Sequence, residues 1–138
     1  MQPESHRMIV SDLLEGGTPV RFQAGGPSMS PTIRDGEAVS VRPVRPGDLR
    51  PGALLLFRQH NRLALHRLVK KQDGLFFCGD AALSGLERAV PEEVLGTAVA
   101  VHRAGAAIEL NTVRQRRAGM LRYRLRPLRR LLIHMLKR

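Results

Sequence analysis

The chain has 138 residues, of which 43% are apolar and 25% charged, so we expect one compact globular domain with a short appendage. A single cysteine, Cys78, excludes an internal disulfide, and the five scattered histidines show no zinc-ligand spacing. No apolar run reaches the ~20 residues of a membrane-spanning helix, and residues 1–7 lack the apolar core of a secretory signal, which predicts a cytoplasmic protein. The net charge of +11 suggests nucleic acid or an anionic membrane as a partner.

The first predicted element is a short helix over residues 5–15, which Ser5 can cap and the glycines at 16 and 17 can stop. Residues 18–24 alternate between apolar and polar side chains, as a strand does. Residues 25–32 are dense in Gly, Pro and Ser and have no propensity for regular structure. We therefore expect tertiary contacts to hold this loop in place.

The middle of the chain consists of short apolar segments separated by Gly and Pro turns. The predicted strands span residues 37–41, 53–57, 63–69, 74–78, 94–102 and 106–110. Six or seven short strands of this kind predict a mainly β fold, with an antiparallel sheet or a partly open barrel. The predicted organisation is an N-terminal helix over residues 1–17, a body over residues 18–112 and a tail over residues 113–138.

The tail carries most of the excess charge. It holds ten Arg and Lys and no acid, whereas residues 1–112 hold thirteen basic and twelve acidic side chains. Its apolar side chains recur with the period of an amphipathic helix, and Pro127 predicts a break into two segments. The tail has three interpretations: a solvated basic face, an interfacial helix at an anionic membrane, or a nucleic-acid arm. The leucine stripe and the near absence of aromatic residues favour peripheral contact with the inner face of the membrane, or a partner groove, over nucleic acid.

The loop after the first strand contains Ser28-Met29-Ser30-Pro31-Thr32, and further short motifs follow it in order. They are Asp35-Gly36-Glu37, the strand at residues 51–57, Leu65-His66-Arg67-Leu68-Val69, Cys78-Gly79-Asp80-Ala81 and the strand at residues 94–99. Their order and spacing resemble the serine peptidase superfamily that contains signal peptidases and LexA-like repressors. The resemblance covers about residues 18–110 and implies that family's partly open antiparallel β fold. Histidine at position 66, rather than lysine, is similar to the endoplasmic-reticulum-type and sporulation-type signal peptidases.

The resemblance implies a nucleophile at Ser28, a general base at His66 and an orienting carboxylate at Asp80. A serine hydroxyl is a poor nucleophile near pH 7 and needs an adjacent base, and an imidazole with an unperturbed pKa of ~6.5 can act without burial. Ser30 occupies the variable position of the motif. Lys70 and Lys71 remain rival bases. No metal or cofactor is implied.

Ala53 replaces the acid that the family usually has in the strand at residues 51–57, and two further departures concern the site itself. Gly26 stands where signal peptidases often have a hydroxyl residue that helps to bind the oxyanion, which makes the Ser28 backbone N–H the expected donor. A second acid expected after the Gly-Asp motif is out of register, with Leu86 nearest and Glu87 beside it as the candidate substitute. The predicted substrate-binding and oxyanion residues are Gly26, Ser28, Met29 and Pro31.

The leading hypothesis is a serine endopeptidase that cleaves a peptide or protein precursor, such as a leader-peptide or maturation protease. One alternative is a self-cleaving regulator like the LexA-like repressors, for which the Ala118-Gly119 bond is a candidate cleavage site. Another is a catalytically inactive member of the fold that binds a precursor as an adaptor. A nucleic-acid-binding module is the remaining alternative.

Overall fold

The computed structural model describes residues 4–137, and its architecture is mainly antiparallel β with three helices. Residues 1–3 and Arg138, the outer ends of two predicted units, lie outside the described residues. The helices are α1 (Glu4–Glu15), α2 (Val113–Arg124) and α3 (Arg126–Leu136). The strands are β1 (Val20–Gln23), β2 (Ala38–Pro43), β3 (Leu54–Gln59), β4 (Arg62–Lys71), β5 (Leu75–Cys78), β6 (Glu87–Ala89), β7 (Val94–Arg103) and β8 (Ala106–Glu109).

The eight strands form one sheet, in which seven follow the order β1–β2–β7–β3–β4–β5–β6 and β8 pairs with β7; every pairing is antiparallel. Strand β7 is central to the sheet because it pairs with three other strands. Strand β2 pairs along one edge, while β3 and then β8 pair with successive halves of the other. Register shifts at Ser40/Val41 and Leu56/Phe57 bend the ladders locally, as β-bulges do. The sheet curls into a half-barrel.

Strand β3 shows how the curl creates two apolar clusters. Successive side chains of a strand point to opposite faces. Leu54 and Leu56 lie in a cluster with helix α1 and the loop after β1, whereas Leu55 and Phe57 lie in a second cluster with β5 and β6. All four side chains are at most 1% exposed, and burial of each contributes roughly 1.5–3 kcal/mol. The continuous apolar run in the sequence therefore reflects a strand that is covered on both faces.

The predicted helix and all seven predicted strands are confirmed, with ends that differ by a few residues. Strand β6 was not predicted, because its three residues, Glu-Arg-Ala, carry no strand pattern. That segment is a strand only because it pairs with the edge of β5. The break in the tail is also confirmed: it lies at Leu125, and Pro127 occupies the first turn of α3.

Helix α2 packs tightly against the body of the protein. A Cβ at Gly119 would lie 2.0 Å from Cζ of Arg67, so only glycine allows the helix to approach this close. At Gly52, where φ is +97°, a Cβ would lie 2.9 Å from Cβ of Arg116. Thr112 caps the start of the helix, because its hydroxyl accepts the Gln115 N–H at 3.1 Å. Within residues 4–137, no helix has both the length and the hydropathy to cross a bilayer.

Candidate active site

Ser28 lies in the loop between β1 and β2, which is fastened to the loop that follows β5. The Ala81 N–H donates to the Ser28 carbonyl at 3.0 Å, and the Asp80 N–H donates to Sδ of Met29 at 3.4 Å. Gly79 has no side chain to obstruct this approach, since a Cβ there would lie 2.4 Å from the Ser28 carbonyl oxygen. Tertiary contacts thus hold a segment that has no regular structure of its own, as the sequence predicts.

The imidazole of His66 lies within hydrogen-bond distance of the Ser28 hydroxyl. Its Nε2 lies 3.2 Å from Ser28 Oγ, which is within reach for proton transfer. Strand β4 carries His66 opposite Leu55 of β3. The imidazole lies against Phe57, with ring centroids 6.2 Å apart, and Phe57 stacks on Phe77 at 4.0 Å. The aromatic neighbours limit the positions that the imidazole can adopt.

The carboxylate that contacts the other ring nitrogen belongs to Glu87. Its Oε1 is in direct contact with Nδ1 of His66, and the Glu87 and His66 side chains are 26% and 14% exposed. Within residues 4–137, Nδ1 has no partner aligned for a regular hydrogen bond, so the contact with Glu87 is chiefly electrostatic. A carboxylate at this position favours the tautomer with hydrogen on Nδ1, which leaves Nε2 free to accept the serine proton.

Asp80 contacts Arg67 instead of His66, which corrects its predicted orienting role. Nε and Nη2 of Arg67 donate to the two carboxylate oxygens of Asp80, each at 2.7 Å. The Thr32 hydroxyl donates to Oδ2, and the Arg67 and Asp80 side chains are only 1% and 2% exposed. Because neighbouring residues of a strand point to opposite faces, Arg67 holds Asp80 away from the face that presents His66. The Gly-Asp motif therefore serves to hold the loops together.

The other predicted site residues occupy varied positions. The Gly26 N–H donates to Oδ1 of Asp35 at 2.8 Å, so that donor is already engaged. Met29 is buried in the core, and Pro31 follows a cis peptide bond. None of Gly26, Met29 or Pro31 lines the groove beside Ser28. The Ser28 N–H finds no acceptor within residues 4–137 and remains available to an oxyanion.

The rival bases point elsewhere. Nζ of Lys70 lies over the Phe76 ring, 5.6 Å from its centroid, and Nζ of Lys71 donates to the Leu49 carbonyl at 3.1 Å.

Burial raises the pKa of the Cys78 thiol, although the nearby Arg126 guanidinium opposes this shift, so Cys78 is a poor nucleophile. The Ser–His pair is therefore the candidate for nucleophilic chemistry.

A groove of about 410 Å³ opens beside Ser28 and His66. Its walls are mostly small or apolar, with Phe77 and Leu86 among the larger side chains. The small residues that line it are Gly79, Ala81, Ala82, Ser84 and Gly85. Such a surface can accommodate an extended peptide chain next to the hydroxyl of Ser28.

No known family model matches the chain, and no curated protein matches it. Within residues 4–137, no group of His, Cys, Asp and Glu side chains is arranged to hold a metal ion. The function must therefore be argued from the geometry of Ser28, His66 and Glu87.

Proposed function

We propose that the chain is a serine peptidase of the signal-peptidase-like superfamily, with Ser28 as nucleophile, His66 as general base and Glu87 as the orienting carboxylate. The observation that carries the proposal is the 3.2 Å separation of Ser28 Oγ and His66 Nε2 at the wall of a 410 Å³ groove. The contact of Glu87 with His66 Nδ1 adds the third member of a catalytic triad. The substrate is a peptide or protein precursor.

In the proposed reaction, Ser28 Oγ bonds to the carbonyl carbon of the scissile peptide while His66 Nε2 takes the hydroxyl proton. The tetrahedral intermediate then collapses, the C–N bond breaks, and His66 returns the proton to the leaving amine. Water then attacks the acyl carbon while His66 takes its proton, the ester C–O bond to Ser28 breaks, and His66 returns the proton to Ser28 Oγ. Glu87 stabilises the imidazolium that forms in each half of the reaction.

The Ser28 backbone N–H is the proposed donor to the developing oxyanion. It has no acceptor within residues 4–137, and its peptide is positioned by the Ala81 N–H bond to the Ser28 carbonyl. A positioned donor of this kind contributes on the order of 10²–10³ in rate, and general base catalysis roughly 10²–10⁴. Both contributions depend on the attachment of the nucleophile loop to Gly79 and Asp80.

A substrate segment would bind in extended form beside strand β6. This strand ends the sheet order, so its outer edge has no partner strand among the described residues. Glu87 begins β6 and also lines the groove, which brings the free edge next to the catalytic groups. Addition of a substrate strand to a sheet edge is a common mode of peptide recognition.

The experiment that tests the assignment is covalent labelling with a fluorophosphonate, which phosphonylates activated serines as the P–F bond breaks and fluoride leaves. Intact mass and peptide mapping should locate the adduct on Ser28. Labelling should be lost in Ser28→Ala, reduced roughly 10²–10⁴-fold in His66→Ala and unchanged in the matched control Ser30→Ala. Absence of labelling in the folded wild-type protein would instead support an inactive adaptor, and a Ser30 adduct would contradict the nucleophile.

Self-cleavage is less compatible with the position of the Ala118–Gly119 bond. That bond lies within helix α2, and Gly119 packs directly on the Arg67 guanidinium. Cleavage there requires α2 to leave the body and unwind, because peptidases bind extended substrates. Intact mass after prolonged incubation should therefore remain that of the full chain, while a fragment cut after Ala118 would favour the regulator.

A further inference from the structure

Helix α3 exposes a continuous apolar face, which we call the leucine face. At about 100° per residue, its members fall within an arc of about 140° around the helix. Each is at least half exposed, and Leu136 is 83% exposed. The leucine face consists of Leu128, Leu131, Leu132, Met135 and Leu136.

Side chains outside the leucine face attach α3 to the body. Nη1 of Arg126 donates to the Gly85 carbonyl at 3.0 Å, and Nη1 of Arg129 donates to the Asp80 carbonyl at 3.1 Å. These two arginines bind the loop that forms a wall of the groove. The helix is therefore held with its leucine face towards solvent, while α2 is the part of the tail that packs on the body.

The surroundings of the leucine face are strongly basic. Arg124 at the end of α2 is exposed, and so are Arg130 and Lys137 on the side of α3 opposite the leucine face; the sequence contains no acid after Glu109. A second copy of the chain would bring two such tails together with no acidic tail residue to neutralise them, so charge disfavours self-association through this face. Nucleic acid would use the cations but would leave the apolar face uncovered.

We propose that α3 binds the surface of an anionic lipid bilayer, with the leucine face towards the acyl chains and the basic side chains of the tail, among them Arg124, Arg130 and Lys137, attracted to the anionic headgroups. An amphipathic helix with a basic polar side has the chemistry that this interface selects. The arginines that hold α3 to the groove wall then keep the Ser28 groove close to the membrane surface. This inference does not depend on peptidase activity.

The test is co-sedimentation of the full chain with lipid vesicles. We expect binding to vesicles of phosphatidylglycerol and phosphatidylcholine in equal parts, much weaker binding to phosphatidylcholine alone, and weakening of the former by salt. The double variant Leu128→Gln/Leu132→Gln should bind the anionic vesicles ~10-fold or more weakly. The matched control Met8→Gln/Ile9→Gln, which changes two equally exposed side chains of helix α1, should bind like wild type.

A second pair of variants tests the contribution of the basic side chains of α3. Arg130→Gln/Lys137→Gln should weaken binding to the anionic vesicles more than Arg45→Gln/Arg62→Gln, which removes the same charge from exposed positions of the body. The proposal would be overturned if the two charge variants weakened vesicle binding equally, or if the two apolar variants did so. The proposal would also be overturned if the wild-type chain did not sediment with anionic vesicles. Dimerisation through the leucine face, or salt-dependent binding of DNA, would then identify the other occupant. Circular dichroism of each variant verifies that it is folded.

Discussion

The substitution Asp80→Asn distinguishes the buried carboxylate that pairs with Arg67 from the carboxylate of Glu87 that contacts His66. It preserves the size of the side chain but removes the charge that neutralises Arg67, whose side chain is 1% exposed. Arg122 lies 3.4 Å from the same carboxylate, so the variant also leaves two neighbouring guanidinium groups without their shared counterion. The Arg67 guanidinium cannot swing out to water, because it donates to the Gly52 carbonyl and lies beneath Gly119.

Removal of one partner from a buried ion pair typically costs about 3–5 kcal/mol, because the other charge remains desolvated. A domain of this size has a free energy of unfolding of roughly 5–15 kcal/mol, so Asp80→Asn should remove a large share of it. The free energy of unfolding of a small protein decreases by about 1–3 kcal/mol per molar urea, so the urea concentration at the midpoint of unfolding should fall by roughly 2 M. The matched control is Glu87→Gln, whose partly exposed pair with His66 should contribute only about 0–1 kcal/mol to stability.

Urea unfolding followed by far-UV circular dichroism at neutral pH measures both variants. A second measurement uses the double variant Arg67→Met/Asp80→Asn, which removes both charges. Its free energy of unfolding should recover part of the loss, since no unpaired ion remains buried. The reasoning is refuted if Asp80→Asn costs less than about 1 kcal/mol, or if Glu87→Gln destabilises the protein as much.

Three further predictions follow from the same contacts. Glu87→Gln should slow fluorophosphonate labelling of Ser28 on the order of 10²–10⁴-fold with an unchanged urea midpoint, and unaltered labelling would remove Glu87 from the triad. Gly119→Ala should destabilise by about 1–3 kcal/mol despite the helix propensity of alanine, because its Cβ meets the fixed Arg67 guanidinium; a gain in stability would contradict that packing. The Arg42 guanidinium lowers the pKa of Asp48 to about 2, so the stability from this pair is present above pH 4 and lost as the pH falls towards 2. Urea midpoints across that range should therefore fall less in Asp48→Asn than in wild type, and parallel curves would contradict the assignment.

The strand pattern and the Ser-Met-x-Pro-Thr motif sufficed to predict the elements that carry Ser28 and His66. They sufficed because alternating apolar residues and Gly/Pro turns are local signals, and each strand carries its own. The sequence offered Glu87 only as a possible substitute for a second acid, next to Leu86, and could not predict its contact with His66. Its strand has no local signal, and its side chain meets His66 because β6 pairs with β5 in one particular register.

The sequence by itself determined the mainly β architecture, the turn-rich loop that carries Ser28 and the division of charge between a nearly neutral body and a basic tail. Tertiary structure alone decided which carboxylate contacts His66. Arg67 is the next residue of strand β4 and points to the opposite face, where it binds both oxygens of Asp80 in a buried pair. A buried guanidinium requires a carboxylate partner, so Asp80 serves the fold and Glu87 is left to orient the histidine.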